Sequence, residues 1–493
     1  MGEVKEEGLR KIIQLFLEAG FNISPEMVNV LLKSKDPLKV STDLLDKIKK
    51  GGKEISVLTE EAYEELNRPV TVSALTTVTV PVPPQINEKT FGTLVVKEDW
   101  SFAKAKTDFM THGLHPYPAR MIPQIAERLI NRYSSPGSIV LDPFCGSGTV
   151  LVESCRNQRN AIGNDINPLA VLLAKVKSRR IEPKRLNKAV FSFMKEVEED
   201  SRKEVEFEPP SFPNIKHWFK DYVIRDLSII RRGIDEVEDA DVRNFLEVCF
   251  SITTLETSNI DQRSSRFIRV LPKEELEKHR PKVLPYFRKK VLDSIRKAAL
   301  FYQNSYNTLV DVMQGDARRL PLSDRTVDLI VTSPPYGEER NTVAYSRWSK
   351  LMLYWLGYEQ TRIKTLEKGS LGGVNKRSFE TPSETANRVL EEVAKNDEKR
   401  AAEAAPFFFD YRKSLEELFR VLKLGGRCCI VIGNRSIKRL PVDMGIVTVE
   451  LGKTVSFSHE KTYYRDIPKK LIPWTTPTGV TIFRENIVIL SKG

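Results

Sequence analysis

The chain has 493 residues, too many for one ordinary core, so two or three domains are expected. With 40% hydrophobic and 29% charged residues it reads as globular, and a formal charge of +12 fits a polyanionic partner. No apolar run reaches the roughly 18–20 residues of a membrane span, the start Met1-Gly2-Glu3-Val4 is too polar for a secretory signal, and five cysteines without a Cys-x-x-Cys indicate neither a disulfide framework nor a zinc site; a cytoplasmic protein is expected.

Residues 1–68 read as a small helical domain. Leu9, Ile12, Ile13, Phe16 and Leu17 fall at helical spacing, Gly20 ends that helix, and Ser24-Pro25 caps and opens the next. A docking role and a nucleic-acid contact are both open for it. Residues 69–98 read as a linker, stiffened by Pro81-Val82-Pro83-Pro84. The segment that follows carries His115-Pro116-Tyr117-Pro118-Ala119 ahead of a helix face made by Ile125, Leu129 and Ile130. His112 and His115 have no third or fourth ligand nearby, so no metal is expected there.

Residues 99–180 then form a strand–loop–helix–strand unit. An apolar strand, Ser138 to Leu141, runs into Asp142-Pro143-Phe144-Cys145-Gly146-Ser147-Gly148-Thr149, and Val150, Leu151 and Ser154 continue as a helix. Gly146 and Gly148 are expected to let backbone N–H groups approach a ligand closely. A phosphate-binding loop would need Gly-Lys-Ser/Thr, and the lysine is missing, which argues against phosphate as the main ligand. Asp165 closes the next strand, Asn160 to Asn164, some twenty positions after the loop. That suits ribose hydroxyls, while Asn167-Pro168 directly after it leaves a helix-capping role open as well.

Residues 181–300 interrupt the alternation with a mostly helical insert. Its segment 258–269 mixes Arg263, Arg266 and Arg269 with Ser, Asn, Gln and Phe, a composition that suits phosphate and base contacts and equally a solvated loop. The sheet resumes over residues 301–493. Val310 to Asp316 is a strand ending in Gly-Asp, and Val327 to Val331 is a short buried strand. Thr332-Ser333-Pro334-Pro335-Tyr336 follows. Two prolines stop the strand and leave the Ser333 and Pro334 carbonyls free. With the Ser333 hydroxyl and the Tyr336 ring, that set suits a planar base bearing an exocyclic amine; a simple proline-stopped strand end is the other reading. Arg340, Tyr345, Arg347 and Trp348, beside Tyr354 and Trp355, are candidates for holding a displaced base or strand. Residues 361–404 are polar and charged and read as a mobile lid or substrate arm. Tyr411 to Leu422 is an amphipathic helix stopped at Gly425-Gly426, Cys428 to Ile432 is a buried strand, and the last strands are expected at Val480–Phe483 and Glu485–Leu490.

Taken together, Asp142 to Thr149 and Thr332 to Tyr336 resemble the amino-methyltransferases that modify the N4 amine of cytosine or the N6 amine of adenine in nucleic acid with S-adenosyl-L-methionine. The resemblance covers roughly residues 100–180 and 310–493. It implies a cofactor site made by Asp142, Pro143, Phe144, Gly146, Gly148 and Thr149, by His115, Tyr117 and Pro118 at the methionine end, by Asp165, by Asp316 near the adenine, and by Thr332. It implies catalysis at Ser333, Pro334, Pro335 and Tyr336. The serine form of the tetrapeptide is most often seen with N4-cytosine enzymes. The implied fold is an α/β doubly wound Rossmann-like methyltransferase sheet with the helical insert and the small N-terminal helical domain. C5-cytosine methylation needs a nucleophilic cysteine. Cys145 lies in the cofactor loop, Cys428 and Cys429 in a strand, and Cys155 and Cys249 on helices, so that chemistry is set aside. DNA is the first expected partner; a structured RNA and N6-adenine methylation stay open, and so does a non-enzymatic basic nucleic-acid-binding protein.

Overall fold

Alternating apolar residues build a central sheet with two covered faces. The strands are β1 (Ile139–Asp142), β2 (Asn160–Asp165), β3 (Val310–Gln314), β4 (Val327–Thr332), β5 (Leu422–Gly433), β6 (Ser458–Asp466) and β7 (Arg484–Ser491). Their spatial order is β3-β2-β1-β4-β5-β7-β6. The first five are parallel, and β7 inserts antiparallel between β5 and β6. In β4, Leu329 and Val331 face one core while Ile330 faces the other. Val327 escapes the alternation because the register against β5 shifts between Val327 and Leu329. This computed structural model describes residues 98–203, 208–261, 263, 269–338, 342, 344–373, 380–467, 475–476, 479–480 and 484–493. The expected helical domain (1–68) and the linker up to residue 97 lie outside them.

Helices cover both faces. On one side lie α1 (Pro123–Tyr133), α2 (Thr149–Arg156) and α3 (Pro168–Ser178). On the other lie α10 (Glu384–Val421, kinked at Asp397) and α11 (Met444–Thr454). The helix α3 is apolar almost all round because it is covered twice. Val171 and Ala174 meet the sheet core, while Leu169, Leu173 and Val176 meet a second helical layer. That layer comprises α4 (Pro183–Arg202), α5 (Asp221–Asp235), α6 (Ala240–Glu256) and α7 (Val283–Gln303) from the insert, joined by α8 (Tyr345–Trp355).

Two expectations are corrected here. Residues 361–404 are not a loose lid: α9 (Gln360–Gly369) and the first half of α10 occupy most of the stretch, and Leu366, Leu371, Leu390 and Val393 are buried. The charges that suggested mobility coat the outer faces of amphipathic helices. The second strand of the terminal antiparallel pair is β6, not Val480–Phe483; Gly479–Val480 pairs instead with Thr475–Thr476 in a separate ribbon. Charged and aromatic residues along β6, most of them exposed, hid its strand character.

Candidate active site

The carboxyl ends of β1 to β4 open into one cleft with about 1000 Å³ of atom-free space. Parallel strands bring their loops to the same edge, which is where such folds bind ligands. The β1 end supplies Asp142, Pro143, Phe144, Gly146 and Thr149; the β2 end Asp165; the β3 end Asp316; the β4 end Ser333 and Pro335. Tyr117 and Pro118 approach from the segment before α1. Residues far apart in sequence thus share one surface, as the motif reading required.

The β1 loop is held from inside. Asp165 Oδ2 accepts the Gly146 N–H at 2.9 Å, and Asp165 Oδ1 accepts the Asn167 N–H at 2.9 Å. The α3 N-terminus is capped by Asn167, whose side chain accepts from the Leu169 N–H at 3.1 Å. The same side chain donates to Tyr117 Oη at 3.2 Å and Ser349 Oγ at 3.1 Å, tying the loop before α1 to α8. Asn164 is fully buried and donates to the carbonyls of Pro143 and Gly315, joining the ends of β1, β2 and β3. Asp316 is gripped by Arg318 (Oδ2 to Nη2, 2.7 Å), which also pairs with Asp410 and donates to the Gly369 carbonyl.

The glycines have different work from that expected. The Gly146 N–H is spent on Asp165, and the Gly148 N–H donates to the Cys145 carbonyl at 2.8 Å. Gly148 has φ +84°, and a Cβ there would stand 2.8 Å from Ala174 Cα. Its role is to let the loop close on α3.

Asp142 is the electrostatic centre. Thr332 Oγ1 donates to its Oδ1 at 2.6 Å, and the Phe144 N–H reaches the same oxygen at 3.2 Å. Burial, with repulsion from Asp165, nonetheless pushes its carboxyl up to about 7. A buried carboxylate in this state favours a cationic ligand. Two other buried polar atoms on the cleft wall, Ser147 Oγ and Asn164 Oδ1, have no hydrogen-bond partner. A ligand with an ammonium or sulfonium charge and several hydrogen-bonding groups fits this wall, and S-adenosylmethionine has both. Ser147 and Asn164 went unremarked in the sequence; their side chains carry no motif.

Several expected residues stand back from the cleft. His115 is buried, with Nδ1 donating to the Pro116 carbonyl at 2.6 Å and burial lowering its pKa to about 3. Pro334 is buried in the turn. Tyr336 packs against the α10 side of the sheet and donates from its hydroxyl to Glu485 Oε1 at 3.1 Å. Tyr345 lines the cleft stacked near Tyr117 (5.9 Å), and Trp348 lies edge-on to both Tyr117 and His115. Those two aromatics therefore pack on the loop before α1, and Tyr345 does so from the cleft wall. Tyr354 and Trp355 are core residues, packed on Phe212, Phe219 and Phe250. Arg347 pairs with Glu367 at 3.5 Å. Arg263 and Arg269 both pair with Asp261, so the insert's arginines are partly neutralised. Arg266 and Arg340 lie outside the described residues.

This sheet order and this cleft define a Rossmann-like methyltransferase. A family model described as DNA methylase matches residues 11–176, and one described as D12 class N6 adenine-specific DNA methyltransferase matches residues 120–258. The Type II methyltransferase M.MvaI of Kocuria varians is 32% identical over 424 residues, covering 79% of this chain and 93% of its own length. M.MjaII of Methanocaldococcus jannaschii is 37% identical over 112 residues, 22% of this chain and 21% of its own. A SAM-dependent methyltransferase structure from Methanosarcina mazei covers 77% of this chain and 98% of its own at 10% identity, with a TM-score of 0.29. The chain belongs to the family of N4-cytosine and N6-adenine DNA methyltransferases, and its cofactor is S-adenosylmethionine.

Proposed function

We propose that the protein methylates the exocyclic N4 amine of cytosine in DNA. The observation that carries the reading is Ser333 at the end of β4, on the wall of the same cleft as Asp142. When bound, S-adenosylmethionine supplies an electrophilic methyl group on a sulfonium. Asp142, with Thr332 holding it, would take the cationic end of the cofactor; Asp165 the ribose; Asp316 the adenine side; Tyr117 and Pro118 the methionine side. Ser333 Oγ and the Pro334 carbonyl would accept the two hydrogens of the target amine. That pulls its lone pair out of conjugation with the ring and aligns it with the methyl group. Such alignment contributes on the order of 7–11 kcal/mol in favourable cases. Tyr336, which stands back from the cleft, would brace the catalytic turn from behind through its bond to Glu485. The base must leave its stack to reach this depth.

DNA is favoured because the Kocuria relative, matched along nearly its whole length, is named a Type II methyltransferase and one matching family model is described as DNA methylase. The helical insert at 181–300 would read the target, with Arg263, Arg269 and Arg347 as candidate phosphate contacts. Adenine N6 is the second reading, favoured by the match to an adenine-specific model; that match spans residues 120–258 and so excludes Ser333. The test is transfer of labelled methyl to unmodified genomic DNA and, separately, to total RNA, followed by nucleoside analysis. N4-methyldeoxycytidine is expected. Label in N6-methyladenine would overturn the cytosine assignment, and label confined to RNA would overturn DNA.

A further inference from the structure

The cleft has a wall that neither motif supplies. Ile166 follows Asp165 at the β2 end, and Leu366, Gly369 and Leu371 come from the end of α9 and the turn after it; all of them line the cleft, as Asp316 does. Leu366 and Leu371 are buried. A Cβ on Gly369 would stand 2.7 Å from Ile166 Cδ1, so the α9 end lies directly on the Ile166 side chain. One guanidinium binds this segment to the β3 end. Arg318 Nε donates to Asp316 Oδ1 at 2.9 Å, and Nη2 donates to Asp316 Oδ2 at 2.7 Å and to the Gly369 carbonyl at 2.8 Å. On its far side, Nη1 pairs at 2.8 Å with Oδ2 of the buried Asp410 on α10, and that oxygen also accepts the Gly372 N–H at 2.9 Å.

The place of this clamp along the cleft says what it meets. The strand ends run in the order β3-β2-β1-β4. The transferred methyl has to lie by Ser333, at the β4 end. The β3 end is then the far end of an extended cofactor, where the proposed placement puts the adenine. An adenine offers two flat apolar faces and, at its edge, an amine that donates hydrogens. Ile166, Leu366 and Leu371 supply apolar surface for the faces. Asp316 stands on the same wall with its side chain 39% exposed, which leaves the carboxylate room for a ligand beside Arg318. A carboxylate only accepts. It favours an amine in that place and repels an oxygen. That preference needs a fixed orientation. An aspartate alone at an open strand end turns among its rotamers, whereas the planar fork of an arginine holds both carboxylate oxygens at once.

We infer that Arg318 is a positioning residue that selects the cofactor's base: it turns the Asp316 carboxylate to the adenine amine and, through Gly369, holds the α9 end against the ring. The inference rests on the cofactor placement proposed above, with Asp316 on the adenine side. It is tested by calorimetry on the full chain with S-adenosylhomocysteine and with S-inosylhomocysteine, which carries an oxygen in place of the amine. Both ligands lack the sulfonium charge, so Asp142 acts on them alike. The parent protein is expected to prefer the adenosyl ligand about tenfold to a hundredfold, the scale of one hydrogen bond to a charged group. Asp316→Ala and Arg318→Met should each bring that preference to within about threefold. Arg318→Lys keeps the charge without the fork and should lose at least about threefold of the preference; it carries the test should the methionine variant fail to fold. A preference lost in Asp316→Ala but kept in the Arg318 variants would overturn the inference and leave the cofactor placement standing. Weaker binding of both ligands by the Arg318 variants at an unchanged ratio would overturn it too, since that is what a merely structural role gives. A preference unchanged in Asp316→Ala, or absent from the parent protein, would overturn the adenine placement and the inference with it.

Discussion

The two halves of the cleft are built in opposite ways. On the cofactor half, the bonds that hold the β1 loop to β2 are short in sequence: Gly146 to Asp165 and Asn167 to Asp165 span 19 and 2 residues. At the catalytic turn the bond is long: Tyr336 to Glu485 spans 149 residues, while Thr332 to Asp142, spanning 190, ties the turn to the cofactor half. A local loop carries its own geometry and can be recognised wherever it occurs. The catalytic turn carries only its own atoms, and the groups that orient those atoms come from strands that join the sheet elsewhere in the chain. The β1 loop should therefore tolerate changes in the rest of the fold, whereas the catalytic turn should depend on them.

The largest effect that would sharpen this contrast is expected at Ser333. Ser333→Ala would remove the acceptor proposed for the target amine and leave the rest of the cofactor wall intact. Turnover should fall about 10²–10³-fold, the cost of losing one preorganised polar contact in an active site. S-adenosylmethionine affinity, measured by calorimetry, should move by less than about threefold. Equal losses in both would mean that the two halves are not separable and that Ser333 serves the cofactor.

Next in size is Asp142. Its carboxyl is raised to about 7 in the folded, ligand-free protein, above the ordinary aspartate value near 3.8. The folded state thus holds a proton more tightly than the unfolded state, and the ligand-free protein loses stability as pH rises from about 4 to about 7, by a few kcal/mol. A cationic cofactor reverses the balance: its affinity should rise with pH through about 7, as the carboxylate forms. Asp142→Asn should weaken cofactor binding about tenfold to a hundredfold and flatten both pH profiles. Thermal melts with and without S-adenosylmethionine at about pH 5.5 and about pH 7.5, on either side of most of that titration, read both effects. A cofactor affinity flat across that range would show that some other group neutralises the ligand.

The same contrast accounts for what the sequence disclosed. The strands β1, β2, β3 and β4 and the residues at their ends were legible because a short apolar run stopped by Asp, Gly or Pro is seldom anything but a buried strand running out into a loop. Asp142, Asp165, Asp316 and Ser333 were found in this way. Ser147 and Asn164 were not, because only the closing of three strand ends makes them face a ligand or bury an amide. Glu485 and Arg465 were beyond reach, since nothing near either residue predicts that β6 and β7 will put them opposite one another. The aromatics after the catalytic turn show the same limit. A Tyr or Trp at helical spacing beside arginines has the composition of a base-binding surface, yet Tyr345 and Trp348 point at Tyr117. Composition says what a side chain can touch, and the sheet decides which neighbour is offered.

A smaller effect separates the two loop glycines. Gly148 has φ +84° and lies 2.8 Å, at its would-be Cβ, from Ala174 Cα; Gly146 has φ +48° and 3.4 Å to the edge of the Tyr117 ring. Gly148→Ala should cost about 2 kcal/mol of stability through the left-handed backbone and the approach to α3. Cofactor affinity of the folded fraction should hardly change, because the lost contact is with a helix. A variant with normal melting and poor cofactor binding would return Gly148 to the ligand-contacting role that its motif suggests.

The smallest effect concerns the insert, which lies outside both halves of the cleft. Arg263 and Arg269 are 60% and 66% exposed at the side chain and share one carboxylate, Asp261. Exposed pairs of this kind add little to stability, so Arg263→Ala and Arg269→Ala should melt with the parent protein. Their effect on DNA depends on which partner they prefer. If phosphate displaces Asp261, each alanine should lower the salt dependence of DNA affinity by about one unit of log–log slope, with similar loss on any sequence. If Asp261 keeps both arginines, the slope stays unchanged, and the insert's contribution must come from its helices. Asp261→Asn then serves as the reverse experiment: it releases Arg269 and leaves Arg263 only its second pairing, with Glu275 at 3.1 Å, which should tighten DNA binding at low salt in the first case and leave it unchanged in the second.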